Sequence, residues 1–355
     1  MILRDCRLVY IAPRSGEGGV GDYADDFAAA VRPHFAEVIE YRHDGPGSHS
    51  IRDIVRHRRA IQDLVDVDPE RVIVHCELSG GSVMPFWATA RLTGNPQVTA
   101  TVHDPPGIVW WPARTKFLAG NKVLNHGLHY PLRAAWRRLE RWVVGRRTLF
   151  ALTRSGTDSL ERSYPAATAE AVMHFVPERP DITPAEDRPM AVGMFGFVYR
   201  GKGFDQLRQL RDRLPRDIAI RIAGRGTELL DPVDGVDILG EVNGPDEDAF
   251  FASIRALVVP YGKRSIYGDA FPASGSVSRA IAYQTPVVCL EEGALSETDG
   301  GALVVSGGTD EIADATAGLV TDRAALTRLR REVETLRRAN SPDLVAESFV
   351  AVWSK

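Results

Sequence analysis

Short apolar runs and amphipathic stretches alternate along most of the chain. Residues 8–12 and 98–102 are apolar runs of the length that buried strands have, whereas residues 51–65 repeat apolar side chains at helical spacing. Strands that alternate with helices predict a mostly parallel, doubly wound sheet. In such a sheet, ligands bind beyond the carboxyl ends of the strands. The pattern therefore predicts an α/β fold and directs attention to the loops that follow the strands.

The alternation occurs twice along the sequence. A segment rich in proline and charge, residues 177–189, separates the two occurrences and is typical of an interdomain linker. A chain of 355 residues is also too long for one ordinary core. We therefore expect two Rossmann-like domains, at residues 1–178 and 190–339, followed by a terminal amphipathic helix within residues 340–355.

Composition narrows the class of protein. Apolar residues make up 44% of the chain and charged residues 25%, as in soluble globular proteins, and a net charge of −4 gives no reason to expect a nucleic-acid partner. Cys6, Cys76 and Cys289 lie in or beside apolar runs without metal-ligand spacing, which is typical of reduced cysteines in the cytosol. No apolar run is long enough to span a bilayer, and the N-terminal run is too short for a signal peptide. We expect a cytoplasmic protein, and attachment to the inner face of a membrane stays open.

Residues 132–147 allow two interpretations. The segment combines a narrow apolar face with many arginines. It could be an interfacial helix on anionic lipid, or a helix packed on the core with a solvated basic face. The narrow stripe and the apolar run that follows at residues 149–152 favour the second interpretation.

A glycine-rich loop follows the first apolar run and leads into a helical pattern that begins near Tyr23. Such a loop brings backbone N–H groups against a phosphate or a sugar. The spacing of residues 15–23 does not match G-x-G-x-x-G, and no acidic residue is placed to hold a ribose. The loop therefore argues against a dinucleotide-dependent oxidoreductase.

Two polar side chains follow the apolar run at residues 98–102. His103 and Asp104 lie directly before a Pro-Pro turn, at the carboxyl end of a predicted strand. A single histidine is more often structural than functional, but this position is where ligands of doubly wound sheets bind. We therefore take both residues as candidate site residues.

The second half of the chain has two candidate anion-binding segments. Residues 196–203 form a glycine-bounded loop that carries Arg200 and Lys202, and a Ser274-Gly275-Ser276 loop enters a predicted helix. Helix N-termini bind anions because their first backbone N–H groups are unpaired and the helix dipole is positive there. An ordinary capped helix would explain the second segment equally well.

Taken in order, these motifs resemble the retaining, nucleotide-sugar-dependent family 4 glycosyltransferases, which have the GT-B fold of two Rossmann-like domains facing across a cleft. The resemblance covers nearly the whole chain and rests on the order and spacing of its motifs. The segments that carry it are residues 18–23, 101–104, 139–155, 196–203, 223–226, 239–240 and 280–288.

The resemblance implies roles for both domains. Residues 1–178 would bind the acceptor, residues 190–339 the nucleotide sugar, and residues 340–355 would pack back on the N-terminal domain. It implies no cofactor and no metal, and no acidic pair of the DxD type stands out. The implied catalytic residues are His103, Arg200 and Lys202. The implied donor-binding residues are Gly19, Val20, Gly224, Arg225, Asp269, Ser274, Gly275, Ser276 and Arg279. The implied acceptor-side residues are Asp22, Tyr23 and Asp104.

One departure from the family pattern affects the expected function. Many members have two glutamates in the donor loop, and the corresponding positions here hold Phe271 and Arg279. Asp269 lies nearby and could replace one carboxylate in part. We expect transfer of a sugar to a glycan or lipid-linked hydroxyl. A non-catalytic GT-B homologue that binds a glycan or a protein, and a nucleotide-sugar epimerase, remain alternatives, although the missing carboxylates count against the epimerase.

Overall fold

The computed structural model describes residues 2–16, 18–109, 111–262, 269–298 and 300–355. The chain divides into two compact units. The first contains Met1–Met173, Ala270–Ala273 and Pro342–Lys355, and the second contains His174–Asp269 and Ser274–Ser341. Each unit is built around one parallel sheet of six strands. The predicted α/β class with two Rossmann-like domains is confirmed.

The sheet of the first unit has the strand order β2-β1-β3-β4-β5-β6, and its strands all run parallel. The strand order reverses between β1 and β3, which is where doubly wound sheets bind ligands. The strands are β1 (Arg7–Pro13), β2 (Glu37–His43), β3 (Val72–Leu78), β4 (Gln97–Val102), β5 (Thr148–Ala151) and β6 (Thr168–Ala171).

Helices connect these strands and cover the sheet. Between residues 19 and 163 the helices are α1 (Gly19–Val31), α2 (Ile51–Asp66), α3 (Val83–Ala88), α4 (Lys116–Gly120), α5 (Lys122–Val144) and α6 (Arg154–Ser163). Ser50 caps α2 in a reciprocal arrangement with Asp53, which satisfies two backbone N–H groups at the start of that helix. Every residue of β3 is buried, including two polar ones, His75 and Glu77.

The second unit has the strand order β12-β11-β10-β7-β8-β9, also with all strands parallel. Its order reverses between β7 and β10. The strands are β7 (Ala191–Phe195), β8 (Ala219–Ala223), β9 (Val236–Ile238), β10 (Ala256–Val259), β11 (Val287–Leu290) and β12 (Ala302–Val305). The helices are α7 (Leu207–Arg213), α8 (Pro245–Ala252), α9 (Gly275–Ala282), α10 (Thr309–Thr321) and α11 (Arg323–Ala339).

The last helix, α12 (Pro342–Trp353), belongs to the first unit. It packs against α1, where the rings of Phe349 and Phe27 are 4.8 Å apart. The buried Trp353 donates from its indole Nε1 to Thr99 Oγ1 over 3.1 Å. The apolar stripe of this helix therefore completes a core that begins with the first strand.

The boundaries between the units differ from those that the sequence predicts. The proline-rich segment at residues 177–189 is part of the second unit, because the buried guanidinium of Arg188 donates to the backbone oxygens of Phe251 and Ile254. Residues 270–273 belong instead to the first unit. There, Phe271 N donates to Pro105 O over 2.8 Å, and Thr153 Oγ1 donates to Phe271 O over 2.7 Å.

Two elements differ from their predictions. The sequence pattern predicts a strand at residues 171–176, whereas the structure has β6 at Thr168–Ala171. The helix expected at residues 132–147 begins ten residues earlier, as α5, and contains Pro131 in its interior. Val143 and Val144 of α5 are buried in the core, as the core-packed interpretation requires. Among the helices that the structure describes, none is long and apolar enough to cross a membrane.

Candidate functional site

Two strand ends of the second unit and the start of α9 lie in close contact. Gly196 follows β7 at φ 123°, and a Cβ there would lie 2.6 Å from Ser276 Oγ. Gly224 follows β8 at φ 133°, and a Cβ there would lie 2.2 Å from Gly196 O. Both positions therefore need glycine, for their backbone conformation and for lack of space. The contacts bring the loop after β7 against the start of α9.

Lys202 lies in this loop and is buried. Its ammonium donates to Tyr261 OH over 2.5 Å and lies 3.9 Å from the centre of the Tyr261 ring. Tyr261 OH also lies 3.1 Å from Ser276 Oγ and 3.3 Å from Ser274 Oγ. Tyr261 therefore joins the lysine to the two serines that precede and open α9.

No carboxylate among the described residues lies within 4.0 Å of the Lys202 ammonium, although many arginines of the chain have such a partner. A buried cation is normally paired, because its loss of hydration is otherwise uncompensated. Burial alone would raise the pKa of Tyr261, but the charge of Lys202 and the hydrogen bonds from Lys202 and both serines lower it. The positive field here is strong enough to favour a negative oxygen.

The start of α9 adds backbone donors to this field. Ser274 is the N-cap, and its Oγ accepts from Val277 N over 3.4 Å. None of the residues that the structure describes lies within 4 Å of the position that a Cβ on Gly275 would take. The first turn of α9 is thus open on the side of Gly275, and its unpaired N–H groups form an anion-binding arrangement together with Lys202.

The remaining sequence-predicted residues of the second unit include Arg200, Asp269, Arg225 and Arg279. Arg200 and Asp269 are exposed. Arg225 donates to Glu241 over 2.8 Å and lies over the ring of Phe197.

Arg279 forms an ion pair of 3.3 Å with the buried Glu247, which also accepts from Arg179 and Tyr283. Burial raises the pKa of Glu247, and these donors oppose that effect. Arg279 is therefore part of a network within the second unit and is not brought to the Lys202 cluster.

In the first unit, a buried carboxylate organises the carboxyl ends of the central strands. Glu77 of β3 accepts from Tyr10 OH over 2.8 Å, and its other oxygen lies 2.7 Å from His103 Nε2. His75 Nε2 lies 3.5 Å away. Burial alone would raise the pKa of Glu77, but the hydrogen bonds from His103 and His75 lower it to about 2. Because the carboxylate is ionised and can only accept, His103 must donate from Nε2.

The glycine-rich loop lies beside this histidine. The ring edge of the buried Tyr23 faces His103, with centroids 5.0 Å apart at 83°. Asp22 Oδ1 accepts from Gly16 N over 3.2 Å, which closes the loop onto the start of α1. Gly19 and Val20 are the first two residues of that helix, so their N–H groups have no partner within it.

Two close contacts fix the loops at this edge of the sheet. A Cβ on Gly21 would lie 2.2 Å from Arg14 O, so only glycine fits where α1 leaves the loop. Asp104 Oδ2 accepts from Gly80 N over 3.2 Å, which ties the loop after β4 to the loop after β3. His103, Tyr23, Asp22 and Asp104 thus lie in one region of the first unit.

Sequence reasoning missed Glu77 and Tyr261. Glu77 lies inside an apolar strand, where an acidic residue in a run of buried side chains was itself a signal. Tyr261 follows β10 at the reversal of the strand order, so its position after a strand end was the available signal. Among the described residues, no group of three or more His, Cys, Asp or Glu side chains could hold a metal ion.

Comparison with known proteins relates part of the second half of the chain to a known family. Residues 191–322, which include Lys202 and α9, match the model of the protein family described as glycosyl transferases group 1. The match covers 132 of the 355 residues. A comparison with curated proteins gives no match.

Solved structures resemble this chain over most of its length. Anabaena HepE in complex with UDP-glucose is 11% identical, with 98% of this chain and 99% of that chain covered and a TM-score of 0.68. The OtsA apo structure is 10% identical, with 99% of both chains covered and a TM-score of 0.66. S. aureus TarM is 12% identical, with 85% of this chain and 59% of that chain covered and a TM-score of 0.61. These likenesses concern the fold.

Proposed function

We propose that the protein is a glycosyltransferase that moves a sugar from a nucleoside-diphosphate sugar to a hydroxyl of a glycan or of a lipid-linked acceptor, with retention of configuration and without a metal or cofactor. HepE has been solved in complex with UDP-glucose, which supports a nucleotide sugar as donor. The observation that carries the proposal is the buried Lys202 ammonium, which has no carboxylate partner among the described residues and lies beside the start of α9.

Sugar transfer needs positive charge beside the diphosphate that leaves. When the bond between the anomeric carbon and the diphosphate oxygen breaks, negative charge develops on the diphosphate and positive charge on the sugar. The acceptor oxygen forms the new bond to the anomeric carbon, and its proton is taken up by the leaving diphosphate. We assign Lys202, the amides of Ser274, Gly275 and Ser276, and the exposed Arg200 to the binding of that diphosphate.

We assign the remaining residues as follows. Gly224 allows the backbone to approach closely at a strand end, and Arg225, Gly19, Val20 and Asp269 are further candidates for contact with the donor. In the first unit, His103 has its Nε2 held by Glu77, so its other ring edge is available to a hydroxyl. Tyr23, Asp22 and Asp104 are candidates for the acceptor side. Arg279 has a carboxylate partner, and we assign it a positioning role.

Thermal shift with UDP, GDP, ADP and TDP tests the donor site, because a bound nucleotide raises the melting temperature by mass action. We expect one of the four to stabilise the parent chain and the Arg216→Ala control. That control removes a cation of the same unit whose side chain is 95% exposed. We expect Lys202→Ala to lose the shift. The absence of a shift with all four nucleotides in the parent would contradict the proposal.

The donor loop supports a second candidate, a non-catalytic GT-B homologue that binds nucleotide and glycan without turnover. Phe271 occupies one of the expected glutamate positions and is held by its backbone to Pro105 and Thr153, while Arg279 occupies the other. Release of free nucleoside diphosphate that depends on an added acceptor decides between the two. Nucleotide binding without such release would favour the non-catalytic homologue.

A further inference from the structure

Three histidines of the first unit, here called the histidine cluster, lie in ring contact at the carboxyl end of β2 and in the first turns of α2. The ring centres of His43 and His49 are 5.6 Å apart, and those of His49 and His57 are 5.2 Å apart. His43 and His49 are 4% and 7% exposed, and His57 is half-buried. Because the rings are so close, a charge on one of them would act on the others.

Hydrogen bonds fix the tautomers of the two buried rings. His43 Nδ1 lies 2.8 Å from Asp44 O, which can only accept, so Nδ1 carries the hydrogen. Ser48 Oγ lies 3.2 Å from His49 Nδ1 and gives its own hydrogen to Gly45 O, so His49 also donates from Nδ1. In both uncharged rings Nε2 is therefore a lone-pair acceptor. Neither Nε2 has a hydrogen-bond partner among the residues that the structure describes.

Protonation of either buried ring would create a cation for which the described residues hold no acceptor. The new N–H group at Nε2 would be buried and unpaired, which is unfavourable for a neutral polar group and more so for a charged one. Burial lowers the pKa of His43 to about 4, and it also lowers the pKa values of His49 and His57. The uncharged cluster is therefore the form that the folded chain favours.

Charged groups around the cluster act in both directions. Asp44 and Asp53 favour protonation of the rings, whereas Arg56 opposes it. The carboxylate of Asp44 is itself paired with Arg14 over 2.8 Å, and the side chain of Lys116, on the neighbouring α4, is exposed. These opposed effects leave burial as the main influence on the rings.

Residues 44–50, which carry part of the cluster, hold two other segments of the first unit in place. Arg14 N donates to His43 O over 3.0 Å at the start of the glycine-rich loop, and Lys116 N donates to His49 O over 2.8 Å at the start of α4. The backbone oxygen of Arg14 also packs closely against the first turn of α1. The position of the glycine-rich loop therefore depends on residues 44–50.

We propose that the histidine cluster is an acid-sensitive clamp. At neutral pH its uncharged rings hold residues 44–50 in place, and acidification protonates His43 and His49 and releases this segment together with the glycine-rich loop. Histidine suits such a role because its charge changes near neutral pH and depends on its surroundings. The proposal concerns the first unit alone, and it stands whether or not the chain transfers a sugar.

The pH range of the release follows from the direction of the pKa change. A histidine whose pKa is lower in the folded than in the unfolded chain binds more protons when unfolded, so acid favours the unfolded or released state. For His43 the ordinary pKa is 6.5 and the folded value is about 4. The clamp should therefore be intact above about pH 6.5 and should weaken progressively as the pH falls toward 4.

Hydrogen exchange of the full chain at about pH 7 and about pH 5, corrected for the intrinsic effect of pH on amide exchange, tests the proposal. The reporter amides are those of Arg14, Ser50 and Lys116, since each is hydrogen-bonded to or within the clamp. We expect their protection to fall roughly 20-fold between the two pH values, which is the linkage of His43 alone. Amides of β6, at the opposite edge of the sheet, should keep their protection.

His43→Gln with His49→Gln is the decisive variant, because glutamine is uncharged at both pH values. It should lose most of the pH effect at the reporter amides, whatever its stability at neutral pH. His34→Gln, which changes a histidine of the same unit outside the cluster, is the matched control and should respond to pH as the parent does. A second measurement needs no variant: in a titration of the imidazole resonances, two of the nine histidines should stay uncharged until the reporter amides lose protection.

Four outcomes would overturn the proposal. Unchanged protection of the reporter amides in the parent at about pH 5 is one. An equal fall in protection in the double glutamine variant would assign the acid response to another group. An equal fall at the amides of β6 would mean that the whole unit unfolds and that no clamp opens. Protonation of all nine histidines while the reporter amides stay protected would show that the cluster accepts charge without release.

Discussion

Replacing Lys202 with methionine separates a ligand-binding lysine from a structural one. The substitution keeps the apolar stem and removes the ammonium, which has no carboxylate partner among the described residues and is held by Tyr261 OH. A structural lysine would stabilise the ligand-free chain, so its loss would lower the melting temperature. An unpaired buried cation is instead unfavourable by itself, so we expect Lys202→Met to melt at or above the parent temperature without ligand.

Although Lys202→Met should not destabilise the ligand-free chain, it should weaken nucleotide binding. A hydrogen bond between charged groups contributes about 1.5–3 kcal/mol, so the nucleoside diphosphate should bind roughly 10- to 100-fold more weakly. At a ligand concentration of about 1,000 times the parent dissociation constant, binding stabilises the parent by about 4 kcal/mol. The variant would gain only about 1.4–2.7 kcal/mol at the same concentration.

Calorimetry with the stabilising nucleotide, together with melting curves, measures both effects. Tyr261→Phe is an informative second variant, because it keeps the charge and removes the oxygen that orients it, and it should cost about 1 kcal/mol of binding. Arg216→Met, at an exposed position of the same unit, is the matched control and should bind as the parent does. Unchanged nucleotide affinity in Lys202→Met would refute the assignment, as would a loss of affinity that merely accompanies a lower melting temperature.

Three further predictions concern other parts of the molecule. Gly275→Val should abolish nucleotide binding in calorimetry without lowering the melting temperature, because a Cβ there meets none of the described residues but would meet a diphosphate at the start of α9. Binding equal to the parent would mean that this loop is only a helix cap. Glu77, whose pKa is lowered to about 2 from an ordinary value of 4.5, should contribute about 3 kcal/mol of stability above pH 4.5 that disappears as the pH falls toward 2. Melting curves across this range should show the acid-sensitive component in the parent and not in Glu77→Gln, and equal pH profiles would contradict it. Phe349→Ala should destabilise the first unit by about 3–5 kcal/mol, because the ring is fully buried against Phe27 and Phe150, and exposed Leu344→Ala is the control in the same melting experiment.

The fold was predictable because its signal is local. Each buried strand is a short apolar run, and each run is followed by a loop and a helical pattern, so the alternation could be read without any knowledge of long-range contacts. Pro131 shows the limit of such reasoning. Proline inside a helix removes one hydrogen bond and crowds the preceding turn, so the sequence indicated a helix start at residue 132, whereas packing of the flanking turns carries α5 through it.

The candidate site was predictable only in part, because its decisive contacts join distant positions. Lys202 and Ser276 could be proposed from their loops, but Tyr261, which joins them, becomes visible only when the ends of β7 and β10 lie side by side. Arg279 shows the converse. Its position in the donor helix suggested a ligand contact, and its ion pair with Glu247 depends on a residue 32 positions earlier in the chain.

The position of α12 has a consequence for the order in which the protein folds during synthesis. Domains generally fold from the N-terminus as the ribosome releases them, at about 5–20 residues per second. Here the rings of Phe349 and Trp353 close the core around Phe27, His75 and Phe150, although they are made after the entire second unit. The nascent first unit therefore keeps an apolar face uncovered until the second unit has been translated. The second unit is expected to reach its native structure first, so the first unit is completed by a helix made after the second.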